Sequence, residues 1–109
     1  MIEFVEVRGR AGRLIPVPSR LPRLPAAKTL ARITLPLHLN WSEPGLTYDL
    51  ADRGQRARVY EIVLREGSAE DILAYVDGAL LLDLWPELVL PPDVAGAWAP
   101  LIERSAPST

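Results

Sequence analysis

The apolar and polar positions of this chain run through two rhythms, a period of two in the first half and a helical period in the second. Residues 2–7 (IEFVEV) mix β-branched and aromatic side chains and predict a short strand. Arg8 to Arg13 (RGRAGR) predicts a turn in which Gly9 and Gly12 are free to take positive φ. Leu14 to Val17 predicts the returning strand of a hairpin, with Pro16 confined to an edge or terminal position. The three prolines of residues 18–28 (PSRLPRLPAAK) remove backbone donors and favour extended chain, so this stretch reads as a linker or an arm lying on a surface. Residues 32–41 (RITLPLHLNW) alternate strictly: Ile33, Leu35, Leu37, Leu39 and Trp41 share one face, and Arg32, Thr34, Pro36, His38 and Asn40 the other. That is the signature of a half-buried strand, which Pro36 places at an edge or a bulge. Ser42 to Gly45 predicts a turn and residues 46–50 (LTYDL) an antiparallel return.

From Asp52 the rhythm becomes helical. Asp52 is placed to cap a helix running to about Glu66, with Val59, Tyr60, Ile62, Val63 and Leu64 as its apolar side and Gly67 at the C′ position. Ser68 followed by Asp71 outlines a capping box for a second helix with Ile72, Leu73, Tyr75 and Val76 on its apolar face. Asp77-Gly78 predicts a break, Ala79 to Trp85 a short apolar helix ended by Pro86, and Leu88 to Leu90 an extended connection. Pro91-Pro92-Asp93 suits the start of a last helix carrying Val94, Trp98, Leu101 and Ile102. Pro100 is expected to kink or split it, and Ser105 to Thr109 to fray. Strands segregated from helices predict an α+β fold, an N-terminal β-hairpin and short antiparallel strands followed by a C-terminal bundle of three to four short helices. The expected organisation is a basic Pro/Arg-rich hairpin or arm over 1–30 and a compact α+β domain over 31–105, with strands in 32–50 and helices in 52–105.

At 109 residues the chain has the length of one domain, and its 49% of apolar residues supports a core. The absence of cysteine excludes a disulfide, a thiolate nucleophile and a cysteine-ligated zinc site. Met1-Ile2-Glu3-Phe4 lacks the basic start and apolar core of a signal peptide, and the apolar runs Ala79–Leu82 and Leu88–Leu90 are far too short to span a bilayer. A soluble, cytoplasmic protein without a membrane partner is the expectation.

Charge changes this picture more than composition does. Residues 1–42 hold seven bases (Arg8, Arg10, Arg13, Arg20, Arg23, Lys28, Arg32) and two acids. Residues 43–109 hold five bases and twelve acids. Such sorting points to partners of opposite sign. Arg8, Arg10, Arg13, Arg20 and Arg23 form the candidate nucleic-acid-binding set, since a basic segment attracts polyanions through counterion release. Two other readings stay open for it: pairing with the acidic helices of the same chain or of a symmetry mate, and a plainly solvated surface. Glu70, Asp71 and Asp77 on the acidic helices, with Trp85, Leu88 and Trp98, form the candidate protein-binding set. The apolar density from Leu80 to Leu90 exceeds what one helix face can hide, which marks an interface, a homodimer in its plainest form. The three tryptophans, Trp41 included, are expected to bury.

Catalytic chemistry is poorly provided for. His38 is the single histidine, and the triad geometry of nucleophile, imidazole and acid has no clear set of donors. RGRAGR lacks the spacing and strand-to-helix context of a phosphate loop. One histidine with scattered carboxylates supplies no metal site, so no metal or cofactor is expected. Arg53, Arg56 and Arg58 crowd the start of the first long helix, where cations are mildly unfavourable, which implies partners for them. The acidic exposed positions of the Ser68–Val76 helix have the wrong sign for a recognition helix in a DNA groove.

Residues 37–102, LHLNWSEPGLTYDLADRGQRARVYEIVLREGSAEDILAYVDGALLLDLWPELVLPPDVAGAWAPLI, resemble a group of small actinobacterial proteins of uncharacterised family, regulator-like or antitoxin-like, often encoded beside a predicted toxin or nucleotidyltransferase. The resemblance covers about three-fifths of the chain and supplies no catalytic residues. It implies a non-enzymatic partner protein, an antitoxin; the charge sorting then leads to the expectation that the acidic helices neutralise a basic protein such as a toxin and that the basic arm contacts operator DNA. The alternative is a nucleic-acid-binding transcriptional regulator acting through the arginine-rich segment alone.

Overall fold

Phe4–Arg8 (β1) and Leu14–Pro18 (β2) form the expected antiparallel hairpin, with Val5 opposite Val17 and Val7 opposite Ile15. A computed structural model describes residues 2–106; of the tail expected to fray, Ser105 is still helical and residues 107–109 lie outside the described residues. Period-two alternation puts Val5, Val7, Ile15 and Val17 on one face of the hairpin, and Ile15 and Val17 are buried in the main core. The hairpin turn runs over Arg10–Gly12, where both Ala11 (φ 55°) and Gly12 (φ 75°) are left-handed. Glycine carries the second of these positions at no steric cost.

The proline-rich stretch is strapped onto the helices. Pro22 carbonyl accepts from Gly78 N–H at 2.6 Å, and a Cβ on Gly78 would stand 2.6 Å from Leu21 Cβ, so only glycine lets the strap lie this close. A single helical turn, Ala26–Thr29 (α1), follows. The second sheet is smaller than its pattern predicts. Arg32–Thr34 (β3) pairs antiparallel with Thr47–Asp49 (β4), but the alternation continues past β3 without a strand beneath it. Pro36 cannot donate to a ladder, and its carbonyl instead accepts from Leu39 and Asn40, winding residues 36–40 into a turn.

The helices begin where side-chain caps stand. Arg53–Glu66 (α2) is capped by Asp52, which accepts from Gln55 N–H. Ala69–Tyr75 (α3) has the reciprocal capping box of Ser68 and Asp71. Gly78–Leu84 (α4) is capped by Asp77 and runs into a 3-10 turn over Trp85–Glu87. Pro92–Ser105 (α5) runs as one helix through Pro100, so of the kink or split that its proline predicts, the split does not occur. Gly67 ends α2 with φ −84° rather than in the left-handed region.

The result is α+β, with two small antiparallel sheets and the longer helices C-terminal to them. Tyr60 and Val63 of α2, Val76, Leu81 and Leu84 around α4, and Val94 and Trp98 of α5 are fully buried in one core with Ile15 of the hairpin. No helix among the described residues is long and apolar enough to cross a membrane.

Candidate partner-binding surface

Residues 35–46, between β3 and β4, are held from beneath and apolar on top. Leu35 and Leu39 are buried, as is Asn40, whose amide donates to Glu43 carbonyl at 3.0 Å and to Tyr48 Oη at 3.1 Å. Glu43 N–H donates back to Asn40 carbonyl, and Leu46 N–H to Glu43 carbonyl. Above this base the loop presents Leu37, Trp41 and Leu46 outward, Trp41 being 72% exposed. The expectation that all three tryptophans bury is therefore corrected: Trp98 is fully buried, Trp85 is half-buried against the core, and Trp41 stands in solvent. The cause is the break at Pro36. Once the chain winds there, a two-residue period no longer keeps Leu37 and Trp41 on the inner face.

His38 ties this loop to α3. Its Nε2 lies 3.1 Å from both oxygens of Asp71. The same carboxylate accepts from Ser68 N–H at 2.9 Å and Ser68 Oγ at 3.0 Å. Burial pushes the Asp71 carboxyl up, but the Ser68 amide, His38 and the Ser68 hydroxyl together hold it below the ordinary carboxylate range. The three side chains are those of a hydrolytic triad in the wrong order. A triad needs the imidazole between nucleophile and acid; here the acid sits between the imidazole and the hydroxyl. The arrangement caps a helix and pins a loop.

Asp77 is consumed in the same way. Its Oδ1 accepts from Arg23 Nε at 3.0 Å and Leu24 N–H at 2.9 Å, its Oδ2 from Leu80 N–H, and its own N–H donates to buried Tyr60 Oη at 3.0 Å. Desolvation raises the Asp77 carboxyl, and the Leu24 amide, Arg23 and the Leu80 amide outweigh it and lower it. Desolvation likewise raises the Tyr60 phenol.

The sequence-predicted sites are therefore redistributed. Trp98 (0% exposed) and Asp77 (2%) present no surface to a partner, the first because it fills the core under α5 and the second because it clamps the strap. Asp71 is engaged with Ser68 and His38, whereas Glu70 beside it is exposed and without an ion pair among the described residues. Trp85 and Leu88 pack partly against the core. Arg23 donates through Nε to Asp77 while the rest of its side chain stays exposed. Arg8, Arg10, Arg13 and Arg20 are exposed and have no ion pair among the described residues; only the Arg10 backbone N–H is used, donating to Asp93. The crowded arginines of α2 find their partners inside the chain. Arg53 bridges Asp83 and Glu87, which raise its pKa, and buried Arg56 donates to Leu50 carbonyl. Among the described residues no cluster of three histidine or acidic side chains could hold a metal ion. Comparison with family models, with curated proteins and with solved structures finds no match.

Proposed function

We propose that this chain is a non-enzymatic binding protein that takes hold of a basic protein partner through the 35–46 loop, in the manner of an antitoxin covering a toxin. The observation that carries this reading is Trp41, 72% exposed on a loop whose backbone is fixed by Asn40 and whose base is buried. An exposed tryptophan offers a large apolar area to bury on binding, and such residues dominate interface energetics. Glu43 on the loop and Glu70 at the start of α3 are exposed and unpaired among the described residues, which favours a partner with basic groups around an apolar cleft. The resemblance of residues 37–102 to antitoxin-like proteins points the same way. The absence of catalysis in this proposal rests on His38, Asp71 and Ser68 being committed to the cap and loop.

The test is nuclease-treated affinity capture from the source organism with wild type and Trp41→Ala. One basic protein, enriched by wild type and reduced about thirtyfold by the substitution, is the expected result, corresponding to the ~2 kcal/mol of a hot-spot residue. Equal capture by both would overturn it.

A second reading keeps the hairpin tip as a nucleic-acid contact, because Arg8, Arg10 and Arg13 surround a rigid turn and keep their guanidinium groups free of ion pairs among the described residues. In that case retention on nucleic acid falls steeply with salt and is lost when Arg8, Arg10, Arg13 and Arg20 become alanine.

A further inference from the structure

A pocket of about 270 Å³ opens where the chain between the strap and β3, the second sheet and α3 meet. Its walls are apolar, with Leu24 from the strap, Ile33 and Leu50 from the sheet side, and Ala74 from α3. Two polar side chains join them, Lys28 of α1 and Tyr75 at the end of α3. Lys28 is exposed and has no ion pair among the described residues, and Tyr75 Oη has no hydrogen-bond partner there. The nearby acid, Asp71, is already taken by Ser68 and His38. Burial, and then the charge of Asp71, raise the Tyr75 phenol, so it stays protonated at neutral pH and can donate a hydrogen bond.

We propose that this pocket binds a small carboxylate with a compact apolar body, the apolar part against Leu24, Ile33, Leu50 and Ala74 and the carboxylate on the Lys28 ammonium and Tyr75 hydroxyl. An apolar wall with a few convergent polar groups is the usual form of a small-molecule site. The two polar groups at hand are a cation and a neutral donor, which together select an acceptor-only anion over an amine or an alcohol. Size limits the ligand: at about 30 Å³ per water in the liquid, the space corresponds to roughly nine waters, and so to a ligand of about that many heavy atoms. Hexanoate and benzoate meet both requirements. The site is distinct from the Trp41 surface and stands or falls separately from it.

Titration of the full chain with hexanoate, hexylamine and hexan-1-ol, followed by backbone amide NMR, tests this. Hexanoate is expected to give saturable shifts confined to the amides around Ala31, Leu50 and Ala74. Hexylamine should give none, and hexan-1-ol should bind more weakly. Lys28→Ala, at an exposed position, should weaken hexanoate by about tenfold or more, as loss of a charge-assisted bond does, and Lys28→Arg should retain it. Ala74→Leu should fill the pocket and abolish the shifts while the spectrum stays dispersed. Absence of saturation with hexanoate, equal binding of hexylamine, or binding unchanged in Lys28→Ala would each overturn the assignment.

Discussion

At the scale of single residues, Asp77 does more for this fold than its sequence context suggests. Asp77-Gly78 reads as a break, and Asp77 in fact caps α4. Its other oxygen ties down Arg23 and Leu24, more than fifty residues earlier in the chain. Nothing local in the sequence foretells that clamp, because it depends on where the strap lands. Asp77→Asn keeps the shape but removes the charge from bonds that are worth most when charged, and it should lower the unfolding free energy by about 2–3 kcal/mol in a urea titration. The pH dependence has a definite sign. Asp77, Asp71 and Asp93 all have carboxyl pKa values lowered by folding, Asp93 mainly through the Arg10 amide. Their contribution is complete above the unfolded value near pH 4 and is lost as pH falls through the lower folded values. Stability should therefore decline in acid, and Asp77→Asn should flatten that decline.

At the scale of elements, the hairpin, two of the caps and the order of the helices were legible because each rests on a local signal: period-two pairing around a glycine turn, and Asp52 and Ser68 at helix starts. The 35–46 loop was misread for a reason that is also local. Alternation of apolar residues is necessary for a strand but does not supply the backbone partners, and Pro36 removes one of them. The hidden signal was Asn40, a buried polar residue in a position the strand pattern assigned to solvent. Asn40→Ala should release the loop, costing about 1–2 kcal/mol for the lost hydrogen bonds. It should speed amide exchange at Glu43 and Leu46 while leaving α2 and α5 protected. Uniform loss of protection across the molecule would show that Asn40 holds the fold rather than the loop. Pro100 taught the opposite lesson: near the end of a helix carrying Trp98, Leu101 and Ile102 into the core, packing overrides the missing backbone bond.

At the scale of the whole molecule, the division of charge along the chain is partly answered within it. Arg23 pairs with Asp77 and Arg32 with Asp49, while the Arg10 amide donates to Asp93 and Arg104 to Ser19 carbonyl, so the N-terminal part lies on the C-terminal part. Hairpin and helices share one core through Ile15 and Val17. Left unspent by this internal matching are the arginine-bearing hairpin tip, Arg20, Lys28, and the exposed apolar side chains of the 35–46 loop with Glu43 beside them. In the proposed reading the loop is the stronger binding surface, because its exposed Leu37, Trp41 and Leu46 are apolar and stand on a buried base. The most direct measurement places a photo-crosslinking amino acid at position 41, at position 89, and at position 10 of the full chain in the source organism. Val89 is the control, being 79% exposed but outside the loop. Binding through the loop predicts one nuclease-resistant protein adduct from position 41 and none from position 89. Adducts of equal yield from both, or adducts only to nucleic acid from position 10, would contradict it.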